Sequence, residues 1–204
     1  MRERWMVLCA RIGRGDADTL FALLESQYTH PPRAYHSLQH VSACLSMLDG
    51  CRGLALHADE LEFAAWLHDC VYIPQRQDNE ERSAAVARLF LRELGATGEM
   101  ADRVTRLIMT TRHSGQPEPG DAALIADIDM SILGAADADY DRYAADIRTE
   151  YSFASGPDYQ RGRTAFLEGL LKRAAIYYTP WFADRFEQRA RSNVSREIAA
   201  LNRA

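Results

Sequence analysis

Residues 59–71 read Asp-Glu-Leu-Glu-Phe-Ala-Ala-Trp-Leu-His-Asp-Cys-Val, and this stretch carries the signal that decides the fold. Leu61, Ala65 and His68 recur at helical intervals, which predicts a helix with an apolar face packed in a core. The pair His68-Asp69 lies at the end of this helix. Consecutive helical side chains diverge by about 100°, so both reach one ion only if the helix end is aimed at it.

The helical period continues along the rest of the chain, and no strong alternating pattern typical of strands appears. Asp16 is a candidate N-cap, with Leu23 and Leu24 facing inward from the helix that follows. Asp78 and Glu81 have the spacing of a capping box. The sequence predicts an all-α fold with helices over the N-terminal residues and over 16–28, 36–48, 59–71, 78–94, 99–111, 122–133, 140–153, 159–178 and 183–201.

Composition and charge limit the class of protein. A chain of 204 residues with 47% hydrophobic residues suits one soluble domain, residues 1–204, and no apolar run approaches the roughly 20 residues of a membrane helix. The net charge of -5 argues against bulk nucleic-acid and anionic-membrane binding. The four cysteines form no CxxC pair, which predicts reduced thiols and a cytoplasmic protein. An oligomer is compatible with all of these features.

Residue types that bind metals recur in the order His, His-Asp, Asp. His40 comes first, His68-Asp69 follows, and Asp127 and Asp129 are both candidates for the last carboxylate. A divalent cation bound for hydrolysis takes a mixed shell of imidazole and carboxylate, with positions left for water and substrate. A carboxylate within an apolar helix is also costly to bury without a cation. This set suits several ions: Mn, Fe, Co, Ni, Zn or Mg.

His36 precedes His40 by four residues, so within one helix it lies one turn behind and points at whatever the metal binds. An imidazole titrates near neutral pH, which makes His36 a candidate general acid. Asp69 is a candidate to orient the attacking water. Arginine holds phosphate through bidentate contacts, and the candidates for this role are Arg112, Arg161 and Arg163.

The segment from His36 to about Gly134 resembles the HD-domain superfamily of metal-dependent phosphohydrolases. In that superfamily the H…HD…D residues bind a divalent metal within a helical core, and members hydrolyse phosphate esters or nucleotides. Asp129-Met130-Ser131 is similar to the Asp-Leu-Ser of the cyclic-nucleotide phosphodiesterase branch, which implies that Asp129 is the last ligand. The same branch implies that His36 protonates the leaving group. A closer resemblance is to a bacterial family of predicted HD-superfamily phosphohydrolases, carried by residues 66–72, 78–80, 128–134 and 161–163.

The resemblance implies an HD-domain-like helical bundle with a motif core over residues 35–134 and C-terminal helices over 139–203 packed on it. It implies hydrolysis of a small phosphorylated substrate. Tyr72 stands where the nucleotidase branch carries an acid, in the pattern HDxxE, so the usual nucleotidase acid is absent unless Glu80 or Glu81 folds back. Tyr72 and Glu80 are candidates for substrate contact. His113 is a further candidate for substrate contact, and it is also the most plausible extra nitrogen if a second metal binds.

Two other functions remain open from the sequence. A non-catalytic sensor would keep the same metal pocket and bind a nucleotide or another phosphorylated ligand in it. A di-iron oxygenase of the same fold would need a richer set of histidines than the six in this chain.

Overall fold

A computed structural model of the chain describes residues 1–13 and 15–203; Arg14 and Ala204, both inside the predicted domain, lie outside the described residues. Within these ranges the regular structure is helical and contains no strand, which confirms the prediction of an all-α fold. Two short 3₁₀ helices cover Arg52–Leu54 and Met130–Gly134. The α-helices are α1 (Arg2–Ala10), α2 (Ala17–Tyr28), α3 (Leu38–Cys51), α4 (Ala58–Leu67), α5 (Asn79–Glu93), α6 (Gly98–Thr110), α7 (Asp121–Asp129), α8 (Asp137–Glu150), α9 (Gly156–Leu171) and α10 (Pro180–Leu201).

The chain divides into two compact units, Met1–Ile128 and Asp129–Ala204. The division falls one residue before the end of helix α7, so the backbone of Asp129 continues a helix that belongs to the first unit. The single domain over residues 1–204, with its C-terminal helices packed on a motif core, stays a prediction. Among the described helices, none combines the length and the apolar character that crossing a membrane requires.

Helix α4 is the central element of the first unit. Every residue from 60 to 70 is buried, and α4 contacts helices α3, α5 and α6. The ring of Trp66 packs edge to face on Trp5, with centroids 5.5 Å apart. Glu60 is buried on the same helix, and it forms a two-point ion pair with Arg103 at 2.7 Å for each contact. A buried carboxylate is tolerated here because a guanidinium satisfies both of its oxygens.

Helix α3 begins later than the sequence predicts. Its first residue is Leu38, and the Ser37 side chain caps it by accepting a hydrogen bond from the amide of Gln39 at 3.3 Å. A capping residue has non-helical backbone, and whatever precedes it lies outside the helix. The prediction that His36 lies one helical turn behind His40 is therefore wrong, since His36 lies in the turn before the helix.

Two other local predictions are also wrong. Leu23 does not face inward, because half of its surface is exposed on helix α2. Asp78 makes no side-chain capping bond to helix α5; its carboxylate instead pairs with Arg76 at 2.6 Å and with Arg82 at 2.9 Å. Two guanidinium groups compete successfully with backbone amides for this carboxylate, since charge-assisted hydrogen bonds are the stronger ones.

The second unit contains helices α8, α9 and α10 and the 3₁₀ helix Met130–Gly134. Gly134 packs directly on helix α10, where a Cβ atom would lie 2.6 Å from Cβ of Phe186. The amide of Asn193 donates to the carbonyl oxygens of Leu133 and Ala135 at 2.9 and 3.0 Å. These contacts hold the chain that follows Asp129 against α10.

Candidate metal centre

His40, His68 and Asp69 bring their polar atoms together in the core of the first unit. Nε2 of His40 lies 3.0 Å from Nε2 of His68. Oδ2 of Asp69 lies 3.1 Å from Nε2 of His68 and 3.7 Å from Nε2 of His40. All three residues are buried. Two imidazole nitrogens and one carboxylate oxygen therefore converge in a site that the protein shields from bulk water.

The end of helix α4 aims the His68-Asp69 pair at this point. The amide of His68 still donates to the carbonyl of Ala64 at 2.9 Å, while Asp69 already lies in the turn that follows. Nδ1 of His68 contacts the carbonyl oxygen of Ala65 at 3.1 Å. A carbonyl only accepts, so Nδ1 carries the hydrogen, and Nε2 of the neutral ring presents its lone pair to the cluster.

The separations of these atoms suit donors around one cation. Two donors that each lie about 2.1 Å from an ion are about 3.0 Å apart at a right angle and about 3.4 Å apart at the tetrahedral angle. The measured separations of 3.0, 3.1 and 3.7 Å correspond to such angles or slightly wider ones. The three donors are spaced as the ligands of one divalent cation are, so they could hold such an ion.

Cys44 and Asp129 extend the cluster. The ligand atoms of His40, Cys44, His68 and Asp129 all lie within 4.8 Å of one another, so this group could hold a metal ion. Asp129 reaches it as the last residue of helix α7. Asp127 is not in this group; it is buried, and its charge acts on the thiol of Cys51 at the far end of helix α3.

His36 lies beside the cluster even though it is outside the helix. Its ring centroid is 6.0 Å from that of His40. The ring of His36 stacks on that of Tyr72, with centroids 3.9 Å apart and planes at 25°. His36 and Tyr72 are half-buried, whereas His40 and His68 are buried. The predicted general acid and one predicted substrate contact thus form the exposed edge of the candidate centre.

Arg33 joins the two segments that carry these residues. Its Nη1 donates to the carbonyl oxygens of His36 and Asp69 at 3.0 and 2.6 Å, and its Nη2 donates to that of Cys70 at 3.1 Å. The guanidinium lies over the ring of Tyr28 at 5.0 Å from its centroid. A planar fork with several fixed donors suits this role better than an ammonium group does.

Glu80 lies close enough to Asp69 for the two carboxylates to interact. Burial raises the pKa of Glu80, and the neighbouring charges of Asp69 and Glu81 raise it further. Arg112 forms an ion pair with Glu81, and its positive charge partly offsets the increase in the pKa of Glu80. Glu80 thus lies near Asp69, and Arg112 lies in the same group of charges.

The other predicted substrate contacts have different surroundings. His113 is half-buried just beyond helix α6 and has left-handed backbone, with φ of 53°. Arg161 is an exposed residue of helix α9 and pairs with Asp158. Arg163 is buried on the same helix, and its guanidinium binds Glu197 and the hydroxyl of Tyr143. These contacts hold Arg163 within the second unit, and its predicted contact with phosphate stays a prediction.

Two residues of the site have no place in the sequence-based prediction. Cys44 follows His40 by one helical turn, a spacing that places both on one stripe of α3, but cysteine is more common as an ordinary core residue. Arg33 gives no local signal at all, because its partners are backbone carbonyl groups up to 37 positions away. The spacing from His40 could have indicated Cys44, whereas only the tertiary structure identifies Arg33.

Comparison of the chain with protein-family models, with curated proteins and with solved structures finds no match. The HD-domain superfamily therefore stays a prediction from the quoted motifs. The class that fold and site define is an all-α protein with a buried group of histidine, cysteine and aspartate that could hold a metal ion.

Proposed function

We propose that this protein is a metal-dependent hydrolase of a small phosphate ester. The observation that carries the proposal is the convergence of two imidazole nitrogens and the Asp69 carboxylate within 3.0 to 3.7 Å in a buried site. A purely structural imidazole pair has little use for an adjacent carboxylate and a histidine at the exposed edge. The order of these residues along the chain, which resembles H…HD…D, supports phosphate esters as the substrate class.

Each residue has a role that its position supports. His40, His68 and Asp129 hold the cation, and Asp69 contacts it or orients the attacking water through Oδ2. When bound, a divalent cation lowers the pKa of water and polarises a phosphoryl oxygen. His36 donates a ring proton to the leaving oxygen from the edge of the site. Tyr72 supports the ring of His36 by stacking on it at 3.9 Å.

Metal reconstitution tests this function directly. The purified protein is stripped with a chelator, reloaded separately with Mg²⁺, Mn²⁺, Fe²⁺, Co²⁺, Ni²⁺ or Zn²⁺, and assayed on p-nitrophenyl phosphate, bis-p-nitrophenyl phosphate and a panel of nucleotides and sugar phosphates. We expect about one ion per chain and hydrolysis that depends on it. A protein that binds the ion stoichiometrically but turns over no ester in the panel would instead be a sensor.

Replacement of His36 separates catalysis from metal binding. His36→Ala is expected to leave the metal content unchanged and to lower kcat by about 10²-fold or more, because a positioned general acid contributes about 10²- to 10⁴-fold. Metal analysis and steady-state kinetics on the most active ester measure both quantities. The pH profile of kcat for the variant should also lose the limb that reports deprotonation of the general acid.

His57→Ala is the matched control, since His57 is a partly exposed histidine at the start of helix α4 and lies outside the metal-binding group. It should change neither the metal content nor kcat. If His36→Ala turns over as fast as His57→Ala, His36 has no part in the mechanism.

A further inference from the structure

Arg33 forms three hydrogen bonds that join two separate segments at the edge of the candidate centre. Its Nη1 donates to the carbonyl oxygens of His36 and Asp69, at 3.0 and 2.6 Å, and its Nη2 donates to that of Cys70 at 3.1 Å. We propose that Arg33 is the positioning residue of the general acid: through these bonds it holds the ring of His36 at the edge of the metal centre. This inference rests on the proposed function, in which His36 is the general acid.

The turn after helix α4 gives Arg33 a fixed point of attachment. Oγ of the buried Ser83 on helix α5 accepts a hydrogen bond from the amide of Val71 and donates one to the carbonyl oxygen of the same residue, each at 3.1 Å. The side-chain amide of Asn79 binds both backbone groups of Ile73 in the same way, each at 3.0 Å. Two buried side chains thus hold the chain directly after the metal-binding pair in place, and the bonds from Arg33 tie the segment that carries the general acid to it.

The guanidinium of Arg33 is itself held by an aromatic ring. It lies over the ring of Tyr28, 5.0 Å from the centroid, where a cation is attracted to the electron-rich face. Tyr28 is buried at the end of helix α2, and its hydroxyl donates to the carbonyl oxygen of Trp66 in helix α4 at 2.9 Å. The backbone amide of Arg33 donates to the carbonyl oxygen of His30 at 3.2 Å. Both ends of this arginine are therefore fixed, so it can determine where its partners lie.

A group that transfers a proton must be held accurately. Catalytic side chains need to lie within about 0.5 Å of the productive geometry, and a displacement of about 1 Å can lower the rate about 10²-fold. His36 lies in the turn before helix α3. Stacking on Tyr72 at 3.9 Å sets the plane of its ring. The bond from Arg33 to the carbonyl group of His36 sets the backbone from which the ring extends.

The geometry uses a fork of donors rather than a positive charge alone. Two nitrogens of one planar group reach three carbonyl oxygens, two of them in consecutive residues. An ammonium group is a compact charge on a flexible stem and lacks the fixed fork. Arg33→Lys keeps the charge and loses the fork, so we expect it to behave like a variant without the guanidinium.

Steady-state kinetics of Arg33→Met measure the effect of this positioning. Methionine keeps an apolar stem beside Tyr28 and removes every donor. We expect kcat on an alkyl phosphate ester to fall about 10- to 100-fold, at most as far as in His36→Ala, while KM and metal content stay unchanged. Arg88→Met is the matched control, because Arg88 forms an exposed ion pair with Asp102 and should affect none of these quantities. An Arg33→Met protein as active as Arg88→Met would overturn the inference.

Two comparisons show whether the loss acts through the general acid. p-Nitrophenolate leaves as a stable anion and needs a proton less than an alkoxide does, so the loss in Arg33→Met should be smaller for p-nitrophenyl phosphate than for the alkyl ester. In a double-mutant cycle, Arg33→Met should cause no further loss in the His36→Ala background, because residues that act as a unit are not additive. An equal loss for both esters, or in both backgrounds, would mean that Arg33 only supports the fold, and the inference would be wrong.

Chemical modification reads the position of His36 without any assay of hydrolysis. Diethyl pyrocarbonate modifies accessible neutral imidazole rings, and mass spectrometry of peptides gives the rate at each histidine. In the wild-type protein the half-buried His36 should react more slowly than the partly exposed His57. In Arg33→Met the rate at His36 should rise several-fold, whereas the rate at His57 should stay the same. Arg88→Met should resemble the wild-type protein at both positions.

The outcomes separate this inference from the proposed function. If the protein hydrolyses no ester but the rate at His36 rises in Arg33→Met, the positioning by Arg33 stands and the hydrolase is wrong. An unchanged rate at His36 overturns the inference with or without hydrolysis, and it leaves the hydrolase in place. Circular dichroism checks that each variant folds. If Arg33→Met does not fold, Arg33→Lys carries the same measurements, with the same expected changes.

Discussion

His68→Ala is expected to empty the candidate metal centre. Nε2 of His68 lies 3.0 Å from His40 and 3.1 Å from Asp69, so its removal takes the central donor from the cluster. If the ion supplies about 4 kcal/mol of transition-state stabilisation, its loss lowers kcat/KM for the ester about 10³-fold. Elemental analysis and kinetics after reloading with the preferred ion measure these two effects.

Thermal melting distinguishes loss of the ion from general damage to the fold. A ligand at about 100 times its Kd stabilises the folded state by about 2.7 kcal/mol. The melting temperature of the wild-type protein should therefore rise on addition of the ion, and that of His68→Ala should not. The His57→Ala variant should show the same rise as the wild-type protein. A full metal response in His68→Ala would exclude His68 as a ligand.

Glu197→Ala is expected to cause the largest loss of stability in the second unit. Glu197 accepts two hydrogen bonds from the guanidinium of Arg163, at 2.8 and 3.1 Å, and a third from the hydroxyl of Tyr140 at 2.6 Å. Burial opposes the charged form of Arg163, but its contacts with Tyr143 and Glu197 raise its pKa above the ordinary value. Removal of the carboxylate leaves a buried cation unpaired, which costs about 3–5 kcal/mol.

Urea unfolding followed by circular dichroism measures this loss. Arg142→Ala is the control, because Arg142 makes an exposed ion pair with Asp139 on helix α8, and exposed pairs contribute about 0–1 kcal/mol. The double variant Arg163→Met with Glu197→Leu should be more stable than Glu197→Ala, since apolar residues often replace a buried ion pair with little loss. If Glu197→Ala is no less stable than Arg142→Ala, the pair contributes nothing measurable.

The sequence predicts helices better than it predicts their ends. Helix α4 is apolar along most of its length and α6 has an apolar stripe over several turns, so many residues contribute to each signal. The start of α3 depends on Ser37 alone, and a single capping side chain is a weak signal within a run of residues that all tolerate a helix. The prediction of a capping box at Asp78 is wrong for a related reason, because arginines near it in the chain are the stronger partners.

The sequence alone also supports most of the metal-binding group. Local periodicity places His40 on an apolar helix face and His68 with Asp69 at the end of the most apolar helix of the first unit, and the order of these residues along the chain makes them candidate ligands. The choice of Asp129 over Asp127 follows from resemblance, and the structure places the Asp129 carboxylate in the group. Periodicity within one helix assigns a side chain to a face, but it does not choose between Asp127 and Asp129.

Contacts between distant segments are what only the tertiary structure decides. The sequence by itself determines the all-α class, the core helix α4 and the His68-Asp69 pair at its end, because local periodicity specifies which face of each helix is buried. It does not determine that Arg33 links His36 to Asp69, nor that Glu197 forms an ion pair with Arg163. Such partners are chosen by packing between elements far apart in the chain, where many arginines and carboxylates compete and only the folded geometry selects among them.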